Sequence, residues 1–352
     1  MDPPEIASAP KPTDTSPPDK PRKRGKAYWV KVAIRLIVLI LVVGGIWHTV
    51  HGAREEFAAQ GFSPRNLNYG WLAVAGLFYL LGSLPACCFW RSTMVAMGQR
   101  PSWLPTVRAY YIGHLGKYVP GKALVVVLRT GLIKGDRVDA TVAATAVFIE
   151  TLTMMAVGAV VAATILAIGF RNEWLQAVLA LGLAAAAGIP TFPPIFRRLV
   201  FFLQVRRAKA DIEVALDGLN LRLMFIGWST MTVGWLFIGL SLWATLKATP
   251  AAVAQLSDPW HDIPLITACA GLAMVAGFLS LIPAGIGPRE WVIMTLLVPA
   301  YGPVAGIVSA VLLRLVWMGA ELFFAGFLYF GVRGEPATSA TGSSPDDDGA
   351  GG

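Results

Sequence analysis

The feature that most constrains this chain is the recurrence of apolar runs long enough to cross a bilayer. A hydrocarbon core of about 30 Å takes about 20 helical residues, and inside it every backbone N–H and C=O must be satisfied within the protein. Runs at 30–50, 70–90, 139–170, 174–189, 224–246, 263–281 and 305–330 have this length or come near it. Transmembrane strands need only about ten residues, so runs of this length predict helices. The expected fold is all-α, a polytopic helical membrane protein with about six to eight spans. Composition agrees: 55% of residues are hydrophobic and only 14% charged, and the mean hydropathy is +0.61, outside the range of ordinary soluble domains.

Several function classes are thereby excluded or disfavoured. A net charge of +8 points to nucleic acid in a soluble chain, but here the cations cluster between apolar runs, where they set topology and meet anionic headgroups. Nucleic-acid binding is not expected. Cys87, Cys88 and Cys269 lie inside apolar runs with no metal or disulfide spacing, and His48, His51, His114 and His261 are dispersed without a carboxylate partner pattern. No metal, cofactor or catalytic residue is expected, and Gly285-Ile-Gly287 lacks the Gly-Lys-Ser/Thr that would make it a nucleotide loop.

Residues 1–27, with their Pro-Pro pairs and basic run, read as a disordered cytoplasmic arm, and 30–50 as a signal anchor. The membrane domain extends over 28–331, an interfacial amphipathic helix is expected at about 192–218, and 332–352 read as a disordered tail. Lysine and arginine concentrate in 1–35, 91–138 and 191–222, which predicts a cytoplasmic N-terminus in the cytoplasmic membrane.

Two segments break the pattern. Between Arg91 and Arg137 the apolar pieces 109–112 and 123–128 are too short to span, and Pro120-Gly121 divides them. A re-entrant hairpin or broken helix is expected at about 105–133. The second interruption, Ile282-Pro-Ala-Gly-Ile-Gly-Pro-Arg-Glu290, has Pro283, Gly285 and Gly287 as its breaking residues and a re-entrant segment at about 282–300. One Gly/Pro-interrupted apolar segment in each half is a pointer to a transporter binding site.

Charges inside hydrocarbon are costly and face a protein interior or a watery cavity. Here they are Arg129, Glu150, Arg289, Glu290, Arg314 and Glu321. Arg314 and Glu321 stand two helical turns apart, on one face, about 10 Å along the axis. The two breaks could bring Lys117, Lys122, Arg129 and Arg289 to that face. The competing reading is structural pairing, Arg129 with Glu150 and Arg314 with Glu290. Tyr110, Tyr111, Tyr118, Trp103 and Trp90 flank the first break and read chiefly as interfacial belt residues, with the lining of an acyl-chain or headgroup groove as a lesser alternative.

These residues resemble a family. Gly116-Lys-Tyr-Val-Pro-Gly-Lys122 with Arg129 resembles the "GxxxPGk … R" signature of the lysylphosphatidylglycerol synthase transmembrane, or flippase-like, family. Phe148-Ile-Glu-Thr-Leu152 resembles its "ERL" segment, Pro283-Ala-Gly-Ile-Gly-Pro-Arg-Glu290 its "pGGlGvRE" motif, and Leu312-Leu-Arg-Leu-Val316 with Glu321 and Gly326 its "lyRl…lE…G" helix. Thr151 departs from the arginine usual there. The resemblance implies a helical membrane domain that handles lipids, with members that move an aminoacylated phospholipid between leaflets or accompany polyprenyl, glycolipid and hopanoid pathways. A stand-alone membrane domain without the soluble aminoacyl-transfer domain is expected.

The expected function is a flippase-like transporter, not an enzyme, that binds an anionic or zwitterionic lipid headgroup. Lys117, Lys122, Arg129, Arg289 and Arg314 would contact phosphate, while Glu150, Glu290 and Glu321 would orient them or meet an amine, with Glu150 as proton carrier. The alternatives are a membrane enzyme with Glu150 or Glu290 as general base, and a scaffold recruiting a partner through the basic stretch 192–209. A homo-oligomer or a lipid-pathway enzyme partner is possible on this reading.

Overall fold

Apolarity sets where helices lie in this chain, but polar caps set where they start. Asn68 accepts from the Trp71 N–H at 3.3 Å and opens α1, Tyr69–Ala96. Asn220 does the same for Leu223 at 2.8 Å, opening α5, Leu221–Lys247, and Asp258 caps α6, Pro259–Leu279, through Trp260 at 3.0 Å. Each cap satisfies a backbone donor that has no partner within its helix, which is why these helices begin a few residues ahead of the apolar runs. The computed structural model describes residues 63–118, 123–135, 137–169, 220–253, 256, 258–280 and 287–331, with isolated positions at 47, 51, 55, 58, 59 and 195. The arm 1–27, the runs 30–50 and 174–189, the interfacial helix 192–218, the breaks 119–122 and 281–286 and the tail 332–352 lie outside the described residues, those isolated positions apart.

The other helices of more than one turn among the described residues are α2, Trp103–His114, leading into a 3₁₀ turn, Leu115–Tyr118; α3, Ala123–Ile133; α4, Ala140–Gly169; α7, Pro288–Tyr301; and α8, Pro303–Phe330. Among the described residues there is no β-strand, only one isolated bridge between Gly135 and Val138. The all-α expectation holds. Among the described residues five helices, α1, α4, α5, α6 and α8, are long and apolar enough to cross a membrane; the runs at 70–90, 139–170, 224–246, 263–281 and 305–330 each supply one. Helices α2, α3 and α7 have 12, 11 and 14 residues. At 1.5 Å per residue they reach only about 16–21 Å, short of the hydrocarbon core.

Small residues decide how closely the spans approach, since lipid gives apolar helices no solvent reason to associate. Helix α1 packs along α5, and at their crossing a Cβ on Gly82 would stand 2.9 Å from the Gly234 carbonyl oxygen and 2.8 Å from Ile238. Helix α6 meets α4 in the same way, a Cβ on Gly271 falling 3.0 Å from the Gly158 carbonyl oxygen. The fully buried Trp235 of α5 packs on Gly158 and donates its indole N–H to the Met154 carbonyl at 3.0 Å. Helix α7 folds back on α8 across Gly302, whose φ of +82° few side chains tolerate.

A leucine at position 82 must push α1 off α5. Gly82→Leu is expected to cost about 1–3 kcal/mol, read as a lower unfolding midpoint in detergent. Gly131→Ala, where a Cβ meets nothing within 4 Å, should be neutral or slightly stabilising because alanine favours a helix interior.

Candidate functional site

Glycine also brings the first cations into place. Helices α2 and α3 form a hairpin whose limbs touch backbone to backbone. A Cβ on Gly113 would fall 3.0 Å from the Arg129 N, and one on Gly116 would fall 2.8 Å from the Val125 N. The two glycines, one 3₁₀ turn apart, draw Arg129 against α2 and leave the Lys117 and Tyr118 side chains directed at α8.

Arg129 is 2% exposed and donates from Nη1 to Glu150 Oε2 at 2.7 Å. Tyr110 donates its hydroxyl to the other carboxylate oxygen at 3.3 Å, and the guanidinium lies 3.9 Å from the Tyr110 ring centroid, with Trp90 at 5.7 Å. The pairing of Arg129 with Glu150 that the sequence offered is present, at full burial. On the far side of the guanidinium, Nη2 meets His114 Nδ1 at 2.9 Å, and His114 Nε2 lies 3.6 Å from Glu321 Oε1.

Glu321, 1% exposed, is the second centre. Its Oε1 accepts from Lys117 Nζ and from the Tyr79 hydroxyl, and its Oε2 accepts from the Tyr118 hydroxyl at 2.9 Å. Lys117 also donates to the Tyr79 oxygen at 3.1 Å. One connected network therefore runs from Glu150 through Arg129 and His114 to Glu321, Lys117, Tyr79 and Tyr118, drawing on α1, α2, the 3₁₀ turn, α3, α4 and α8.

The second interruption adds to it from α7. Trp317, one turn before Glu321, stacks on Tyr79 at 4.5 Å and carries the Arg289 guanidinium 4.2 Å from its ring centroid. Its indole N–H donates to Ser241 at 2.9 Å, and Ser241 donates to the Ala75 carbonyl at 2.7 Å, so the platform is tied to α5 and α1. Arg289 is buried, and its Nη2 has no hydrogen-bond partner among the described residues. It acts electrostatically on Lys117 and Tyr118. Arg314 reaches Glu290 at 3.7 Å, and Glu290 Oε2 accepts from the Gly287 N–H at 2.7 Å. Glu290 thus reaches back over the first turn of α7 as a helix cap, a role its type and spacing favour, and Gly287 turns the chain into α7 with φ +93°.

Of the residues singled out in the sequence, Lys117, Arg129, Glu150 and Glu321 converge directly. Arg289 joins through Trp317, while Arg314 and Glu290 pair beside them. Lys122, Pro120, Gly121, Pro283 and Gly285 lie outside the described residues. Two readings are corrected. Tyr110, Tyr111, Tyr118 and Trp90 are buried, not belt residues, because their polar tips have partners inside the bundle; Trp103 alone of that group is largely exposed. Tyr111 donates to the Leu80 carbonyl at 2.9 Å. His114, which lacked any partner by sequence spacing, joins Arg129 to Glu321. Its place in the stretch 113–122 and its four-residue spacing from Tyr110, on which it stacks at 5.8 Å, were the only local signals. Among the described residues no group of three His, Cys, Asp or Glu could hold a metal.

Removing one member of a fully buried ion pair strands the other, at a cost of about 3–5 kcal/mol. Glu150→Leu should therefore lower the unfolding midpoint more than the double variant Arg129→Met/Glu150→Leu, which leaves no stranded charge. Equal losses would mean that the pair is not desolvated.

Comparison with curated proteins finds no match. Comparison with family models matches residues 28–318 to the lysylphosphatidylglycerol synthase TM region, and with five helices of spanning length the chain is a multi-pass member of that membrane-protein family.

Proposed function

We propose that the network is a lipid-headgroup site and that the protein moves a phospholipid between leaflets. The observation that carries this reading is Arg289. A guanidinium buried beside the faces of a bilayer-embedded bundle is costly unless it is paired, yet Lys117, Arg129 and Arg314 take up the carboxylates of Glu321, Glu150 and Glu290. Arg289 is left with an aromatic face and a buried donor atom without a partner among the described residues. A phosphate would supply what it lacks, since arginine matches the oxygens of that group in charge and geometry. Family membership supports lipid as the cargo.

The short helices α2, α3 and α7 support a re-entrant arrangement, in which the network faces the cytoplasm and the N-terminus lies on the same side in the cytoplasmic membrane. The basic stretches 91–138 and 191–222 favour that orientation. A headgroup entering from the cytoplasm would meet Lys117 and His114 first, since these are the most exposed members around Glu321.

Reconstitution into vesicles with a fluorescent phospholipid tests the reading by following leaflet exchange. A lost charge-assisted contact is worth about 1.5–3 kcal/mol, so Arg289→Ala should slow exchange about tenfold or more, and Arg314→Ala should also slow it by releasing Glu290. Unchanged exchange in Arg289→Ala, in protein that remains monodisperse, overturns the proposal. Chemical turnover of the lipid without exchange would favour a membrane enzyme.

A further inference from the structure

The groups around Glu321 form an anion cage that the protein fills with its own carboxylate. Lys117 Nζ, the Tyr79 hydroxyl and the Tyr118 hydroxyl all donate to its two oxygens, and His114 Nε2 stands 3.6 Å away. A phosphodiester presents the same pair of anionic oxygens. The cage is closed by the stacked Tyr79 and Trp317 on one side and opens at Lys117 and His114, which are 26% and 21% exposed. Two anions cannot share it, because like charges at contact in a low dielectric repel strongly.

We infer that Tyr79, His114, Lys117 and Tyr118, with Arg289 beside them on the Trp317 ring that also carries Tyr79, are the subsite for the lipid phosphate, that Glu321 is its resident competitor, and that each phosphate enters together with one proton taken up by Glu321. The inference rests on the lipid-exchange reading above. The step balances. A proton from the aqueous phase adds to a Glu321 oxygen, the neutral acid gives up its ion pair, and the singly charged phosphodiester accepts from Lys117 and Tyr118 in its place. The charge of the network is the same before and after. Release on the other side returns the lipid and the proton together, so for a lipid of single net negative charge such as phosphatidylglycerol the cycle is an electroneutral symport.

The partners of the other carboxylates make them poor carriers. Protonating Glu150 would strand Arg129, which does not give up its proton in a protein and has no incoming anion beside it. Glu290 holds the first turn of α7 through Gly287 and pairs with Arg314. The groups facing Glu321 are Tyr79 from α1, Tyr111 and His114 from α2, Lys117 and Tyr118 from the 3₁₀ turn, Arg129 from α3 through His114, and Arg289 from α7 through its field on Lys117 and Tyr118. Arg314 lies on its own helix and acts on Tyr118, while α5 contributes Ser241 through Trp317, which does not titrate. His114 is the rival proton acceptor, being the side chain whose ordinary range spans neutral pH.

The test uses the full chain in phosphatidylcholine vesicles with trace fluorescent phosphatidylglycerol and an enclosed pH dye. Wild-type exchange should rise up to about tenfold for each unit the loading side is acidified, as uptake of one proton per lipid requires, should carry about one proton per lipid, and should ignore an imposed membrane potential. Whatever exchange remains in Glu321→Gln should show a flat pH profile and no proton signal, whereas that remaining in His114→Gln should keep the slope. Wild-type exchange that is independent of pH, or that responds to potential without moving protons, overturns this inference and leaves the proposed function standing. A flat profile in His114→Gln with the slope kept in Glu321→Gln overturns it too. Wild-type protein that exchanges no lipid at all overturns the proposed function itself. The wild-type proton count decides the matter even where a variant does not fold.

Discussion

A carboxylate moved from water into a membrane-embedded interior loses solvation that only cations and hydrogen-bond donors can replace. Glu321 sits in the middle of a 28-residue apolar helix at 1% exposure, and the replacement comes from three directions: Tyr79 on a span, Tyr118 and Lys117 on a 3₁₀ turn, and His114 at the end of a short helix. These elements must sit where they do for the two oxygens of Glu321 to find their donors. The same logic binds Arg129 to Glu150, and His114 ties the two centres into one. Burial of charge is thus a positional constraint on most of the bundle, since displacing α1, α2, α4 or α8 would expose an unpaired charge to hydrocarbon.

Close backbone approach is what makes such convergence possible. Side chains reach only a few ångströms, and the hairpin of α2 and α3 holds its limbs near enough for Arg129 and His114 to touch because Gly113 and Gly116 carry no Cβ. Between the spans, Gly82 with Gly234 and Gly158 with Gly271 do the same work for α1, α4, α5 and α6. The second interruption uses glycine for its φ, with Gly287 turning the chain into α7 and Gly302 joining α7 to α8. Glycine therefore has two distinct jobs here, proximity and turning, and both serve the charged network.

Much of this was legible in the sequence, and the part that was not has a physical reason. The five apolar runs that fall within the described residues are each a helix, because hydrocarbon leaves an isolated apolar segment no other backbone solution. Arg129 with Glu150 and Arg314 with Glu290 could be paired on paper, since buried opposite charges must find one another and few were on offer. Tyr110 and Tyr118 were read otherwise: a tyrosine near an apolar run is amphipathic wherever it sits, and only the tertiary fold decides whether its hydroxyl meets water or Glu150 and Glu321. His114 was hidden for a related reason. Its partners are 15 and 207 positions away in the chain, and no local spacing encodes a contact of that kind.

Trp317 shows how the two interruptions communicate without touching through charge alone. Its indole N–H is anchored to Ser241, and Ser241 is anchored to the Ala75 carbonyl, so the ring is held by α5 and α1. On that fixed surface Tyr79 stacks from the side of the first break, and Arg289 from the side of the second. An aromatic face attracts a cation without neutralising it. Arg289 can therefore be held at a defined place while keeping its full positive charge for another anion, which a carboxylate partner would have cancelled. Replacing the tryptophan with an acidic residue would hold the arginine more tightly and cancel that charge, so the aromatic platform is what leaves the network, among the described residues, one cation in excess.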